Sequence, residues 1–150
     1  MANSVCEVLV TESALQTPEH DNAAEAGAVV DFFGVVRKME GNREIEGIQY
    51  EAHFKMAEHQ LRLIGEAAAE KFQLKQVVLH HRTGLVGAGE ASLFLRVTAP
   101  HRGAAFDASK WIVDELKKKV PIWKKPAFSP SRTGTTVMAA SPGAVSEIAK

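Results

Sequence analysis

Residues 74–119 read LKQVVLHHRTGLVGAGEASLFLRVTAPHRGAAFDASKWIVDELKKK. Two β-rich runs, Leu74–Arg82 and Glu90–Ala99, are joined through Gly84, Gly87 and Gly89. They predict an antiparallel hairpin with a glycine-rich connection. Pro100 ends the second run. Ala105, Ala108, Ile112 and Leu116 then recur at helical spacing and predict a helix over 103–119, stopped by Pro121. A hairpin feeding an amphipathic helix argues for an α+β protein with a largely antiparallel sheet.

The flanks extend that pattern. Val5–Val10 reads as a short strand. Thr17-Pro18-Glu19 has the cap, first-turn proline and acid of a helix start, predicting a short helix over 18–25. Gly27–Val36 is a Val- and Phe-rich buried strand in which Gly34 signals a bulge or close backbone approach. Arg37–Glu44 is polar and reads as a loop. Ile45–His53 alternates, with Ile48, Tyr50 and Ala52 on one face. Ala57, Leu61, Ile64, Ala68 and Phe72 form the stripe of a helix over 55–72. Ile122–Phe128 is a short strand or an ordered arm. The division expected is one α+β domain over 1–128 and an arm over 129–150, partly disordered, with a last helical turn near Val145–Ala149.

The chain has 150 residues, enough for one domain that buries roughly 70% of its unfolded surface. Lys+Arg and Asp+Glu number 18 each, so the strong basic excess of a general nucleic-acid binder is missing. A single cysteine excludes a disulfide framework and a cysteine-cluster metal site. No apolar run approaches a membrane span and the N-terminus has no signal pattern, so a cytoplasmic setting is expected. The charge is nonetheless polarised. Residues 1–94 carry 8 Lys+Arg against 14 Asp+Glu, and residues 95–150 carry 10 against 4. Two halves folding against each other would explain this; so would a basic site for an anion, built mostly from the second half.

His101-Arg102 stand between a strand end and a helix start, where backbone N–H groups and a guanidinium fork favour an anion. Lys117-Lys118-Lys119 and Lys124-Lys125 flank Pro121-Ile122-Trp123. A lysine run at a helix end is commonly a solvated, dipole-complementing terminus. The alternative is that anchored lysines converge on a polyanion, one of them with a lowered pKa. Arg37 opens a polar loop and would complete the cationic set. Cys6 has no basic or histidine neighbour and reads as a small core residue. His80 and His81 are adjacent on a strand, so they face opposite sides and do not share a metal. His53 and His59 show no ligand spacing. Trp111 and Trp123 read as core or interface residues.

An ordered series of short motifs carries more. It runs Phe32-Phe33-Gly34-Val35-Val36-Arg37, Tyr50-Glu51-Ala52 with Met56-Ala57, His81-Arg82-Thr83-Gly84, Gly89-Glu90, His101-Arg102 with Ala105-Phe106, Leu116-Lys117 and Pro121-Ile122-Trp123-Lys124-Lys125. In this order and spacing, over residues 5–125, the chain resembles the large, catalytic subunit of molybdopterin synthase. The resemblance implies an α/β-hammerhead fold, mostly antiparallel with about three helices. It implies a sulfurtransferase that is a homodimer, each protomer binding a small ubiquitin-like sulfur-carrier subunit to give a heterotetramer. The carrier's C-terminal Gly-Gly ends in a thiocarboxylate. The implied substrate is cyclic pyranopterin monophosphate, which receives two sulfurs to form the molybdopterin dithiolene of molybdenum cofactor biosynthesis. No metal and no resident cofactor are implied.

By the same resemblance Lys117 lies nearest the carrier's terminal carbonyl and Lys124 is the second essential lysine. Arg37, His101 and Arg102 match the substrate-anion pocket, Val35 and Val36 line it through their backbone, and Phe32 packs behind it. Lys125 and Pro126 continue the substrate site along the following segment. The family usually has Glu where this chain has Pro126, so any role of that acid is absent or moved. A Trp usual in the C-terminal arm is also missing, and Arg132 is the only basic residue of the tail before Lys150. Two other readings use the same residues: a non-enzymatic phosphate- or nucleotide-binding regulatory α+β domain, and a catalytically dead scaffold that retains the carrier-binding surface.

Overall fold

The computed structural model describes residues 5–19 and 24–130. Eight strands and two helices follow in the order β1 (Cys6–Thr11), β2 (Ala28–Val35), β3 (Met39–Glu40), β4 (Arg43–Ala52), α1 (Phe54–Phe72), β5 (Gln76–Arg82), β6 (Gly84–Gly87), β7 (Ala91–Ala99), α2 (Arg102–Lys119) and β8 (Ile122–Phe128). Two sheets form. The first has the order β1-β5-β7-β2, with β1 and β5 parallel and the other pairs antiparallel. The second is antiparallel throughout, with β4 between β6 and β8 and with β3 hairpinned onto its start. The α+β, mainly antiparallel class is therefore as the sequence predicts.

Both helices lie against the first sheet because their apolar stripes leave no alternative. Ala57, Leu61, Ile64 and Ala68 of α1 and Ala105, Ala108, Ile112 and Leu116 of α2 are all buried, in one cluster with Val77, Leu79, Leu95 and Val97 of the sheet. A smaller cluster of Val36, Ile45, Ile48 and Val86 closes the junction between the two sheets. The α1 start is capped by His53, whose Nδ1 accepts from the Met56 amide. α2 ends at Val120, ahead of Pro121.

Three expectations are corrected. The helix predicted over 18–25 is absent from its described residues: Pro18 and Glu19 are irregular and residues 24–25 form a turn, while residues 20–23 lie outside the described set. Cap residues alone do not nucleate a helix, and this stretch has no apolar stripe to bury. The helix count among the described residues is accordingly two. The polar loop 37–44 contains β3, turned back through Gly41 at φ 65°. The glycine-rich connection between β5 and β7 contains β6, whose residues 84–87 pair with Tyr50–Gly47 of β4. Gly34 does sit at a bulge, where the β2–β7 register shifts between Gly34 and Val35. The arm expected over 129–150, with its helical turn at Val145–Ala149, lies outside the described residues from 131 onward.

Candidate functional site

Where β2 leaves the first sheet, its bulge turns Val35 and Val36 towards the start of β4. There the C-terminal turn of α2 and strand β8 arrive from the other side. A cavity of about 320 Å3 opens at this junction. Its lining includes Phe32, Val35, Val36 and Arg37 from the β2 end, Lys117 from the last turn of α2 and Lys124 from β8. Six of the ten residues singled out in the sequence thus meet at one place, although they span 93 positions of chain. The cations are spread around an opening of the size small-molecule sites take.

The three consecutive lysines are not equivalent. Lys118 and Lys119 bind Glu115 at 3.4 and 2.7 Å on the solvent side, as a dipole-complementing helix end does. Lys117 forms no ion pair with a carboxylate among the described residues and lines the cavity. In β8 alternation does the sorting: Lys124 is half-buried at the cavity, whereas Lys125 is exposed and not part of the lining. Pro126 pairs in register with Ile48 and is likewise outside the lining. Because β8 is an edge strand, a residue without an N–H is tolerated there.

His101 and Arg102 are placed elsewhere. His101 is the N-cap residue of α2, makes no side-chain cap bond, and like Arg102 is exposed. Fifteen residues of helix separate Arg102 from Lys117, about 22 Å at 1.5 Å per residue. Within one copy of the chain, then, the helix N-terminus and the cavity are distinct.

The lining also holds groups the sequence reading did not assign: Glu40, Tyr50, His81 and Ser92. Burial raises the Tyr50 pKa, with Ser92 opposing the shift and Glu40 adding to it. His81 is 5% exposed, its ring meets Tyr50 edge-on at 5.4 Å, and its Nδ1 lies 2.8 Å from the Arg82 carbonyl oxygen. The adjacent-histidine pattern was the available signal. His80 and His81 do face opposite sides: His80 binds Glu7 at 2.8 Å, and only His81 reaches the cavity.

Burial pushes the His81 imidazole down from its ordinary 6.5 to about 4, with the Arg82 carbonyl partly opposing the shift. Between those values the unfolded chain binds a proton that the folded chain does not. The resulting stabilisation is complete above about pH 6.5 and is lost as pH falls towards 4, by about 3 kcal/mol. Urea unfolding at pH 7, 5.5 and 4.5 is expected to show this decline, and His81→Gln to flatten it. Equal stability of the wild-type chain at pH 7 and 4.5 would contradict the assignment.

The remaining polar candidates are structural. Cys6 is half-buried beside Gly65 and Arg62, and burial pushes its thiol up to about 11, the opposite of an activated nucleophile. Trp111 packs on the core against Phe72, while Trp123 is 44% exposed. Among the described residues no group of three or more His, Cys, Asp or Glu is placed to hold a metal ion, and no helix is long and apolar enough to cross a membrane.

Comparison with known proteins bears on the fold and the family. The family model described as "MoaE protein" matches residues 8–119. The molybdopterin synthase catalytic subunit of Pyrococcus abyssi is 37% identical over 122 residues, covering 75% of this chain and 82% of that one. Its human counterpart is 37% identical over 107 residues, 71% of this chain and 57% of the human protein. The crystal structure of molybdopterin synthase from Staphylococcus aureus superposes with a TM-score of 0.75 at 31% identity, covering 83% of this chain and 92% of that one. A complex of subunits 1 and 2 of molybdopterin-converting factor from Helicobacter pylori shares the fold, with a TM-score of 0.62 at 19% identity, covering 86% of this chain and 92% of that one.

Fold, cleft and likenesses together define a class, the catalytic subunit of a sulfur-transferring synthase. The chain belongs to the MoaE family, that of the molybdopterin synthase catalytic subunits.

Proposed function

We propose that this chain transfers sulfur from the thiocarboxylated C-terminus of a small carrier subunit to cyclic pyranopterin monophosphate, forming the molybdopterin dithiolene. The supporting observation is that Lys117, Lys124 and Arg37 line one cavity while Lys118 and Lys119 are occupied by Glu115. The chemistry asks for such a set. The thiocarboxylate sulfur forms a bond to a side-chain carbon of the pterin as that carbon's bond to oxygen breaks, the oxygen leaving with a proton as water or as the freed phosphate-ester oxygen. Water then attacks the acyl carbon, the acyl–sulfur bond breaks, and the carrier leaves as a carboxylate with the sulfur on the pterin. A second loaded carrier repeats the exchange. Lys117 positions and polarises the acyl terminus, stabilising the charge that develops on its oxygen. Lys124 moves the proton or holds the intermediate, and Arg37 binds the anionic end of the substrate. Val35 and Val36 shape the wall, with Phe32 beside them.

His101 and Arg102 enter this reading through a second copy of the chain. The 15-residue separation along α2 keeps them from the cavity of their own copy. In a homodimer, the α2 N-terminus of the partner copy brings a guanidinium, an imidazole and free backbone N–H groups to the substrate's phosphate. Each protomer binds one carrier, giving the heterotetramer. Lys125 and Pro126 border the path along which the carrier's Gly-Gly tail enters, without the acid that usually stands at position 126.

The test is reconstitution. Purified chain, thiocarboxylated carrier and the cyclic pterin phosphate are expected to yield the dithiolene product together with desulfurised carrier. Stable nucleotide binding with no product under those conditions would instead support the regulatory phosphate-binding reading.

A further inference from the structure

The cavity's cations are all hydrogen-bond donors. Arg and Lys side chains have no acceptor, so Arg37, Lys117 and Lys124 recognise the anionic part of a ligand and leave its N–H groups unread. Glu40, Tyr50 and Ser92 of the lining can accept as well, but only His81 is an acceptor fixed by a tautomer. A carbonyl oxygen only accepts, so the 2.8 Å contact with the Arg82 oxygen places the ring proton on Nδ1. The neutral ring then carries its lone pair on Nε2. Nε2 has no hydrogen-bond partner among the described residues. His81 itself lines the cavity. The Arg82 bond fixes the ring on one side, and Tyr50 meets it edge-on on another.

Resting on the function proposed above, we infer that His81 Nε2 is a substrate-recognition acceptor that takes a hydrogen bond from a ring N–H of the bound pterin and sets its orientation against Lys117 and Lys124. The arrangement selects a heterocycle that carries an N–H donor at one end and an anionic group at the other. A locked tautomer suits this role, because an acceptor that cannot turn into a donor rejects a ring presenting a lone pair at that point.

Two substitutions separate recognition from support. His81→Asn keeps a donor at the Nδ1 position for the Arg82 carbonyl and has nothing at Nε2. His81→Gln places an amide oxygen near Nε2. With saturating thiocarboxylated carrier, His81→Asn is expected to raise KM for the pterin substrate at least about tenfold, the size of one lost hydrogen bond. Its kcat and its affinity for the carrier stay within about threefold of wild type, and His81→Gln recovers most of KM. Equal KM values for the two variants, or a wild-type KM in His81→Asn, overturn the inference. If His81→Asn does not fold, the 15N spectrum of the wild-type histidines decides. The His81 Nε2 resonance must move on saturation with the pterin substrate, as an unprotonated ring nitrogen does when it accepts a bond. An unmoved signal in turning-over protein removes this inference alone, whereas wild-type protein that neither binds nor turns over the pterin removes it together with the proposed function.

Discussion

Lys117→Ala is expected to lower dithiolene formation about 10^2- to 10^3-fold while leaving the fold and carrier affinity intact, since loss of one aimed donor at a developing oxyanion costs roughly that much. The side chain is exposed at the last turn of α2 and makes no ion pair among the described residues, so its removal leaves no buried group unsatisfied. Lys118→Ala and Lys119→Ala are the matched controls. Both lysines are exposed and share Glu115 as partner, so each substitution is expected to cost little stability and little activity. Lys117→Arg keeps the charge but replaces a compact ammonium with a planar fork, and only partial recovery is expected. Single-turnover assays and carrier titrations on the four variants test this. Near-normal turnover by Lys117→Ala removes the residue from the mechanism.

The second large effect is on stability. Asp31 of β2 and Arg96 of β7 are paired in register, and the guanidinium holds both carboxylate oxygens, Nε–Oδ1 at 2.7 Å and Nη2–Oδ2 at 2.9 Å. The Arg96 side chain is 3% exposed and lies over the Phe94 ring at 5.3 Å. Asp31→Ala strands that guanidinium. Asp31 is itself 29% exposed, so water can relieve part of the penalty, and the lower end of the range for a broken buried pair applies, about 3 kcal/mol. For a chain of this size that is a fall in Tm of roughly 6–12 °C. Asp31→Ala combined with Arg96→Met leaves no orphan charge and is expected to recover most of the loss. Calorimetry on the single and double variants checks it; a single-variant loss under about 1 kcal/mol shows that the pair is not a principal tie of β2. The pair bears on function because β2 is an edge strand held by β7, and its far end delivers Phe32, Val35 and Arg37 to the cavity.

The helix stripes were legible because each helix buries a single face, against the first sheet and the other helix, and one buried face writes a simple period. The Gly34 bulge was legible for a similar reason, a glycine interrupting an otherwise continuous β run. Strands β3 and β6 were not, since strands of two and four residues are too short to show alternation and take their register from β4. The pairing of β4 with β8 joins Tyr50 to Lys124 across 74 positions, and no local pattern announces it. His81 was missed as a site residue for a related reason. Alternation shows that His80 and His81 point apart, but which face meets the cavity depends on where the second sheet docks.

From the sequence alone came the α+β class, the two long helices, the family and a set of cations suited to an anion. Those follow from periodicity, from turn chemistry and from residue types whose reactivity travels with them. Only the tertiary structure sorted the set. It drew Arg37, Lys117 and Lys124 together, set Lys118 and Lys119 against Glu115, left His101 and Arg102 a helix length away, and added a neutral histidine to the wall. The physical reason is that chemistry belongs to a side chain, whereas proximity, burial and a fixed tautomer belong to the packing of elements far apart in the chain.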